Sequence, residues 1–260
     1  MASLLTNTSA MTALQTLSQT NKNLATTQNR IATGQRVSTA SDNAAYWSIA
    51  TGMKAQNSVN QAVKESLGFG SAVVDVAYTG IEEAIKLGEK ILAKLVSNEQ
   101  GGIDTGATDK EITALTEQIA QIAKSADFEG QNLLKTGGAD LEVLAGKVKD
   151  SAAGAVDKIT VAAYDLEAAD FADIATAEAT LKSMREAAAD MGAAKIRIDS
   201  QLEFTSKLMD AVDRGVGSLV DADMNAESAR LAALQTQQQL GIQALSIANQ
   251  SSQAILSLFR

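Results

Sequence analysis

The feature that most constrains this chain is the absence of charge at both of its ends. All 31 acidic residues of the 260-residue chain lie between Asp42 and Glu227. Residues 1–29 carry a single charge, Lys22, and residues 231–259 carry none. A freely soluble domain usually spreads charges over its whole surface. Long uncharged ends need another explanation, and we expect both ends to be buried against something.

Both ends also repeat small, apolar and amide side chains with the spacing of a coiled coil. The positions alternate steps of three and four residues, which is typical of helices that pair. At the first end they are Ala10, Leu14, Leu17, Asn21, Leu24, Gln28 and Ile31. At the last end they are Leu231, Leu234, Gln238, Gly241, Leu245, Ala248, Ser252, Ile255 and Phe259. Because each seam is thin, we expect both ends to be disordered in the free monomer and helical once paired.

The middle of the chain carries longer seams that can bury one another. The first, over 49–95, predicts a helix of about 50 residues. Thr108 and Glu111 form a capping-box pattern that opens a second helix, and 181–212 carries the seam of a third. We expect these helices to pack as an elongated antiparallel bundle, and the absence of proline is consistent with that.

A short region between the second and third helices departs from the helical pattern. Segments 141–144 and 159–164 predict two strands of a β-hairpin near 139–166, joined by a loop from Gly146 to Gly154. The predicted fold class is therefore mainly α: an elongated antiparallel helical bundle or coiled coil with long terminal helices and a small β-hairpin region.

The sequence offers little for catalysis or ligand binding. It contains no histidine and no cysteine, which removes the commonest general base and the thiol nucleophile. The glycine pairs at 68–70 and 215–217 lack the remaining residues of a nucleotide loop and indicate helix contacts instead. Segment 221–225 begins like a calcium loop, but Ala226 and Ala232 replace the turn glycine and the bidentate glutamate. We expect acidic residues of a helix N-terminus there, and no enzyme activity, cofactor or metal.

Charge and hydropathy also exclude some partners. A net charge of −9 argues against nucleic acid and anionic membranes, because phosphate groups would be repelled. No run approaches the roughly 18 apolar residues of a membrane span, and the first residues lack the pattern of a signal peptide. The chain therefore stays in the cytoplasm or leaves by a route that reads no cleavable signal.

The single tryptophan, Trp47, has two interpretations. It is either a core anchor at the start of the long helix or a contact to a neighbouring subunit. The sequence leaves both open.

Two segments resemble signature sequences of a known family. Residues 30–45, which read RIATGQRVSTASDNAA, resemble the N-terminal signature of bacterial flagellin, and 46–50 (YWSIA) resembles its alphaproteobacterial version. Residues 248–260, which read ANQSSQAILSLFR, are similar to the flagellin C-terminus. Asp221, Asp223 and Glu227 match the acidic run that precedes the family's last helix. The resemblance covers about 1–135 and 170–260, and the short middle implies a minimal form without large outer domains.

The resemblance implies a structural subunit that self-assembles into the flagellar filament for motility. Residues 1–42 and 221–260 would pair as the inner-tube domain, and 43–220 would form a helical bundle in the next shell. The subunit would be secreted unfolded by type III export to the extracellular filament. Its partners would be other flagellin copies or paralogues, hook-associated and cap proteins, and an export chaperone.

We predict that the polymerisation interface draws on both terminal seams and on the signature segment, with Asn21, Gln28 and Gln238 fixing the register of the helices. Its candidate residues are Leu14, Leu17, Leu24, Arg30, Ile31, Arg36, Asp42, Trp47, Leu231, Leu234, Leu245, Ile255, Leu258 and Phe259. The main alternative function is a flagellar hook–filament junction protein with the same terminal helices. A flagellin-like enzyme and a cytoplasmic coiled-coil scaffold are further alternatives.

Overall fold

Long helices make up most of the fold. A computed structural model of the chain describes residues 7–99, 105–147 and 156–258, without the side chains of Thr105, Lys147 and 252–258. The elements are α1 (Thr8–Thr33), α2 (Ala44–Glu99), α3 (Thr105–Ser125), β1 (Leu141–Lys147), β2 (Val156–Val161), α4 (Ile174–Val220) and α5 (Met224–Leu258). The prediction of a mainly α fold with long terminal helices and a small hairpin is confirmed.

The chain divides into two compact units. Unit 1 consists of Met1–Ala55 and Val212–Arg260, and unit 2 of Gln56–Ala211. Unit 1 thus brings the two ends of the chain together, whereas unit 2 holds the hairpin and α3.

In unit 1, α1 and α5 pack against each other in antiparallel orientation. Asn7 Nδ2 donates to the carbonyl of Ala248 at 2.9 Å, and Gln238 Nε2 donates to Asn21 Oδ1 at 2.8 Å. As the residue number rises along α1, the number of its partner on α5 falls. The two uncharged ends therefore cover each other within one chain.

The covered face of α1 differs in part from the predicted seam. Its buried residues are Ala10, Thr20 and Thr27, whereas Leu14, a predicted seam residue, is 52% exposed. The hydroxyl of Thr20 donates to the carbonyl of Thr16 at 3.0 Å, so it is satisfied without water. The small side chains of this face allow the two helices to approach closely.

Short polar side chains begin the helices of unit 1. Asn7 Oδ1 accepts from the amide of Ala10 at 3.0 Å and caps α1, which ends at Gly34 with a left-handed φ of 69°. Asp223 Oδ1 accepts from the amides of Asn225 and Ala226 at the start of α5. The prediction that the acidic segment is a helix N-terminus is therefore confirmed.

In unit 2, α2, α3, α4 and the hairpin share one hydrophobic core. Its fully buried side chains include Leu67, Ile81, Ile119, Leu181 and Ile198. The seams predicted over 49–95 and 181–212 therefore bury residues of this core, as expected. The prediction for the start of α3 was wrong, because α3 begins at Thr105, before the capping-box residues.

The hairpin pairs Leu141 with Val161 and Lys147 with Val156, with a bulge between Leu144 and Gly146. The predicted loop began too early, because Gly146 lies in β1 opposite Asp157. Strand β2 ends at Val161, before the predicted end at Tyr164. The amide of Tyr164 donates instead to the carbonyl of Leu133 at 2.8 Å.

Gly70 allows β1 to approach α2 closely. A Cβ atom at this position would lie 2.4 Å from Cγ2 of Val143 on β1, whereas one at Gly68 would meet nothing within 4 Å. Gly70 is therefore a helix contact, as its pattern predicted, and Gly68 is not.

These two glycines provide a matched test of the packing. We expect Gly70→Ala to lower the free energy of unfolding by about 1–3 kcal/mol, because the new methyl group overlaps a stiff, buried valine. Gly68→Ala should raise it by up to about 1 kcal/mol, because alanine favours the helix and meets open space. Urea denaturation followed by circular dichroism measures both variants. Shifts of the same sign would contradict this account of the α2–β1 contact.

Candidate assembly interface

The predicted interface residues of the terminal helices fall into two groups. Leu234 is buried, and five further seam residues are half-buried on α1 and α5, namely Leu17, Leu24, Ile31, Leu231 and Leu245. Leu17 lies against Gly241, where a Cβ atom would be 3.3 Å from its Cδ1. These residues pack α1 and α5 of one chain together. Leu14 is exposed on α1 and is available to another molecule.

The structure does not describe the side chains of three predicted interface residues. Phe259 lies outside the described residues, and the side chains of Ile255 and Leu258 are not described. Their predicted place in the interface stays a prediction.

Helix α5 carries a second stripe of uncharged side chains, away from the covered seam. We call it the α5 stripe; its members follow one another at steps of three or four residues and are all exposed: Ala233, Thr236, Leu240, Ala244 and Ile247. Leu240 is 58% and Ile247 66% exposed. A helix with two such stripes has one face for each of two neighbours. Within one chain, only the face that carries the seam is covered.

Sequence reasoning missed four exposed apolar residues of the terminal helices. They are Met11 on α1 and Leu240, Ile242 and Ile247 on α5, each more than half exposed. The signal was present, because large apolar residues off the seam of an uncharged helix need a second partner. The seam accounts for only part of the apolar character of the ends.

A partly buried ion pair joins α1 to the start of α5. Arg30 Nη1 lies 3.1 Å from Glu227 Oε1, and 27% of the arginine and 10% of the glutamate side chain are exposed. The second guanidinium near this carboxylate, on Arg230, is 3.9 Å away and mostly exposed. Glu227 Oε2 is buried and accepts no hydrogen bond from the described residues. Glu227 therefore depends on Arg30 for its charge compensation.

Next to this ion pair, the connections α1–α2 and α4–α5 bind each other through their backbones. The amide of Arg36 donates to the carbonyl of Val220 at 2.6 Å, and that of Ala222 donates to Gly34 at 2.9 Å. The Arg36 side chain also donates to the carbonyl of Leu219 at 3.1 Å. Arg36 thus holds the two connections together within one chain.

Asp42 organises the turn before α2. Its Oδ2 accepts from the amides of Ser38 and Thr39 at 3.1 and 2.9 Å, and from both of their hydroxyl groups. These hydrogen bonds, those of the Thr39 and Ser38 amides first, hold the pKa of Asp42 below its ordinary value. The carboxylate is thus a fixed acceptor of this turn.

Trp47 lies in the first turn of α2, and it is 40% exposed. Asn43 begins this helix by accepting from the amides of Ala45 and Tyr46, each at 3.1 Å. The interpretation of Trp47 as a core anchor was wrong, since the chain does not bury it, and Ile49, two residues further along, is more than half exposed. Its contact with a neighbouring subunit stays a prediction.

The described residues hold no group of three or more acidic side chains placed to bind a metal ion. In the same residues, no helix combines the length and the apolar character needed to cross a membrane.

Comparison with known proteins decides the family. Residues 4–138 match the family model of the bacterial flagellin N-terminal helical region, and 174–259 match that of the bacterial flagellin C-terminal helical region. The chain belongs to the bacterial flagellin family. It is 50% identical to a flagellin of Brucella melitensis and 39% identical to Flagellin C of Rhizobium meliloti, in each case over the full length of both chains. The resemblance to alphaproteobacterial flagellins is confirmed.

This member of the flagellin family is a short one. Its alignment with Flagellin A of Rhizobium meliloti covers both chains completely and extends over 395 positions at 35% identity, although this chain has 260 residues. The relative therefore carries additional segments, as expected of a minimal form. Flagellins are structural proteins, and this chain is a filament subunit; no finding favours the hook–filament junction protein.

The ion pair between Arg30 and Glu227 is open to a mutational test. We expect Arg30→Met to destabilise the α1–α5 pair by about 1–3 kcal/mol, because it leaves a buried carboxylate without its cation. Arg230→Met, at the longer and more exposed contact, should cost less than about 0.5 kcal/mol. Hydrogen exchange of the α1 amides, followed by mass spectrometry, measures the effect. Equal protection of α1 in the two variants would refute this role of Arg30.

The pKa of Asp42 provides a second test. Because its folded pKa is lowered, the ionised carboxylate stabilises the turn above pH ~4, the ordinary value, and this contribution is lost as the pH falls through the folded pKa. Carbon-13 NMR of the carboxyl group should therefore give a midpoint below that value. A midpoint at or above it would show that the amides of Ser38 and Thr39 are not its donors in solution.

Proposed function

We propose that copies of this chain assemble by covering the α5 stripe and the exposed residues Met11 and Leu14 of α1. The observation that carries the proposal is the combination of absent charge and exposed apolar side chains on helices whose inner faces are already paired. Burying a leucine or isoleucine side chain contributes about 1.5–3 kcal/mol, so even a few such residues per copy favour association.

The position of these residues on two different helices determines the kind of assembly. When one surface of a copy binds a different surface of the next, the contact is heterologous, and a rotation that does not close produces an open helical fibre. The α5 stripe and the exposed residues of α1 are two such different surfaces. In the filament, residues 1–42 and 221–260 would supply the inner tube, and 43–220 the bundle of the next shell.

The ion pair and the backbone contacts at the connections have a preparatory role. Arg30, Glu227 and Arg36 hold α1 and α5 in one register before assembly, so that each copy presents the same surfaces. Asp42 would order the turn that presents Trp47, and Trp47 would contact a neighbouring copy.

We further propose that the chain is secreted without cleavage by type III export and acts outside the cell as a structural protein without enzyme activity. Hook-associated proteins, a cap protein and an export chaperone would be its partners besides other flagellin copies. Secreted protein that keeps its N-terminus, in a strain with a functional export apparatus, supports this route. Cleaved protein, or protein that stays in the cytoplasm, contradicts it.

The α5 stripe gives the sharpest test of assembly. The double variant Leu240→Asn/Ile247→Asn should keep its helix content and fail to grow filaments from seeds, because it places amides where the next copy needs apolar surface. Seeded growth is measured by sedimentation and negative-stain microscopy.

The matched control is Gln235→Asn/Gln239→Asn, which changes two exposed residues of α5 outside the stripe. It should grow filaments like the unmodified chain. Normal growth of the stripe variant would overturn this interface. Deletion of residues 1–29 or 231–260 should likewise leave a helical protein that forms no fibres.

A further inference from the structure

Met11 presents an exposed thioether on the outer side of α1. It is 63% exposed, whereas its neighbour Ala10 is buried in the face that α5 covers. Leu14, Gln15 and Ser18 follow it three, four and seven residues later and are likewise exposed. None of these exposed side chains carries a charge. Met11 therefore belongs to an uncharged surface of α1 that a single chain leaves open to solvent.

The described methionines differ widely in their access to solvent. Among them, only Met11 and Met224, the latter at 43%, are exposed. Met184 and Met191 are at most 1% exposed in the core of unit 2. The sequence contains no cysteine, so no thiol of the chain competes with these thioethers for an oxidant. A peroxide in solution therefore reaches the sulfur atoms of Met11 and Met224 first among those of the described residues.

Oxidation by a peroxide converts an apolar methionine side chain into a polar one. A lone pair of the sulfur forms a bond to one oxygen of hydrogen peroxide while the O–O bond breaks. The leaving oxygen takes the proton of the transferred oxygen and departs as water. The sulfur is oxidised by two electrons and the peroxide is reduced by two. The sulfoxide is a strong hydrogen-bond acceptor, so its burial against apolar surface is unfavourable.

We propose that Met11 is an oxidation site whose sulfoxide keeps the free chain from joining the filament. The inference rests on the proposed function, in which another copy covers Met11, and it adds a regulation of that surface by peroxides. Met224, at the start of α5, precedes the α5 stripe and lies outside the proposed surface. Methionine sulfoxide reductases reduce the sulfoxide back to the thioether, so the block is reversible.

Peroxide treatment of the free chain tests the site itself. Mass spectrometry of its peptides should find that sulfoxide forms at Met11 at least about tenfold faster than at Met184 and Met191, because the core shields these two sulfur atoms. The circular dichroism spectrum should stay unchanged, since Met11 lies outside the face of α1 that is paired with α5. Equal rates at the three methionines, or a loss of helix on oxidation, would overturn the proposal.

Seeded growth measures the effect on assembly. The critical concentration of the treated chain should rise at least about fivefold, because a polar group replaces an apolar contact. Incubation with the two methionine sulfoxide reductases, one for each epimer of the sulfoxide, and a reductant should restore the original value.

Two leucine variants separate the two exposed thioethers, and each is compared with its own untreated sample. Peroxide should leave the critical concentration of Met11→Leu unchanged, because leucine keeps the apolar surface and has no sulfur. It should raise that of Met224→Leu as much as that of the unmodified chain. Equal sensitivity of the two variants would overturn the proposal, and so would normal growth of a chain that carries the sulfoxide at Met11.

A failure of the α5 interface gives a different result. In that case the variant Leu240→Asn/Ile247→Asn grows normally, while peroxide still raises the critical concentration of the unmodified chain and spares Met11→Leu. This combination would refute the α5 stripe and support the role of Met11.

Discussion

The antiparallel pairing of α1 with α5 is the interaction on which the rest of this structure depends. The two helices come from opposite ends of the chain and carry almost no charge. Each seam offers about one large apolar residue per turn, so neither helix has enough packing surface to be stable alone. Pairing covers the inner faces and at the same time fixes which side chains remain outside. The surface available for assembly is therefore a consequence of how the ends of one copy meet.

Polar contacts define the register of this pairing. Asn7 with Ala248, Asn21 with Gln238 and Arg30 with Glu227 connect the two helices at three levels. Other registers would separate these partners, and they would leave the buried carboxylate of Glu227 without its cation, which is costly. A filament requires identical copies, so a defined register matters more here than a strongly apolar core.

The sequence predicted the helices well because a heptad repeat over many turns has one simple structural meaning. It predicted the covered face of α1 less well. Thr20 and Thr27, seven residues apart, lie on one row along α1, and Leu14 and Asn21, also seven residues apart, lie on an adjacent row. Hydropathy favours the row with Leu14, whereas close approach of the helices favours the row with the small residues. Only the packing with α5 decides between them.

The errors at the site have a similar cause. Leu240 and Ile247 are apolar residues that lie off the seam, so the sequence pattern did not single them out, and one of the two interpretations of Trp47 placed it in a core. In a subunit that assembles, some apolar residues are left exposed for contact with other copies. Periodicity within one chain does not reveal which residues these are. The end of β1 was misplaced for a local reason, since Gly146 follows a bulge and still pairs with Asp157.

A helical reconstruction of the assembled filament by electron cryo-microscopy tests the central claim most directly. If copies assemble through the α5 stripe, the side chains of Leu240 and Ile247 lie within about 4.5 Å of another copy, with α1 and α5 of each copy still paired. Side chains of Leu240 and Ile247 that face solvent in the filament would contradict it, and so would an α1 that leaves its own α5 to pair with a neighbour.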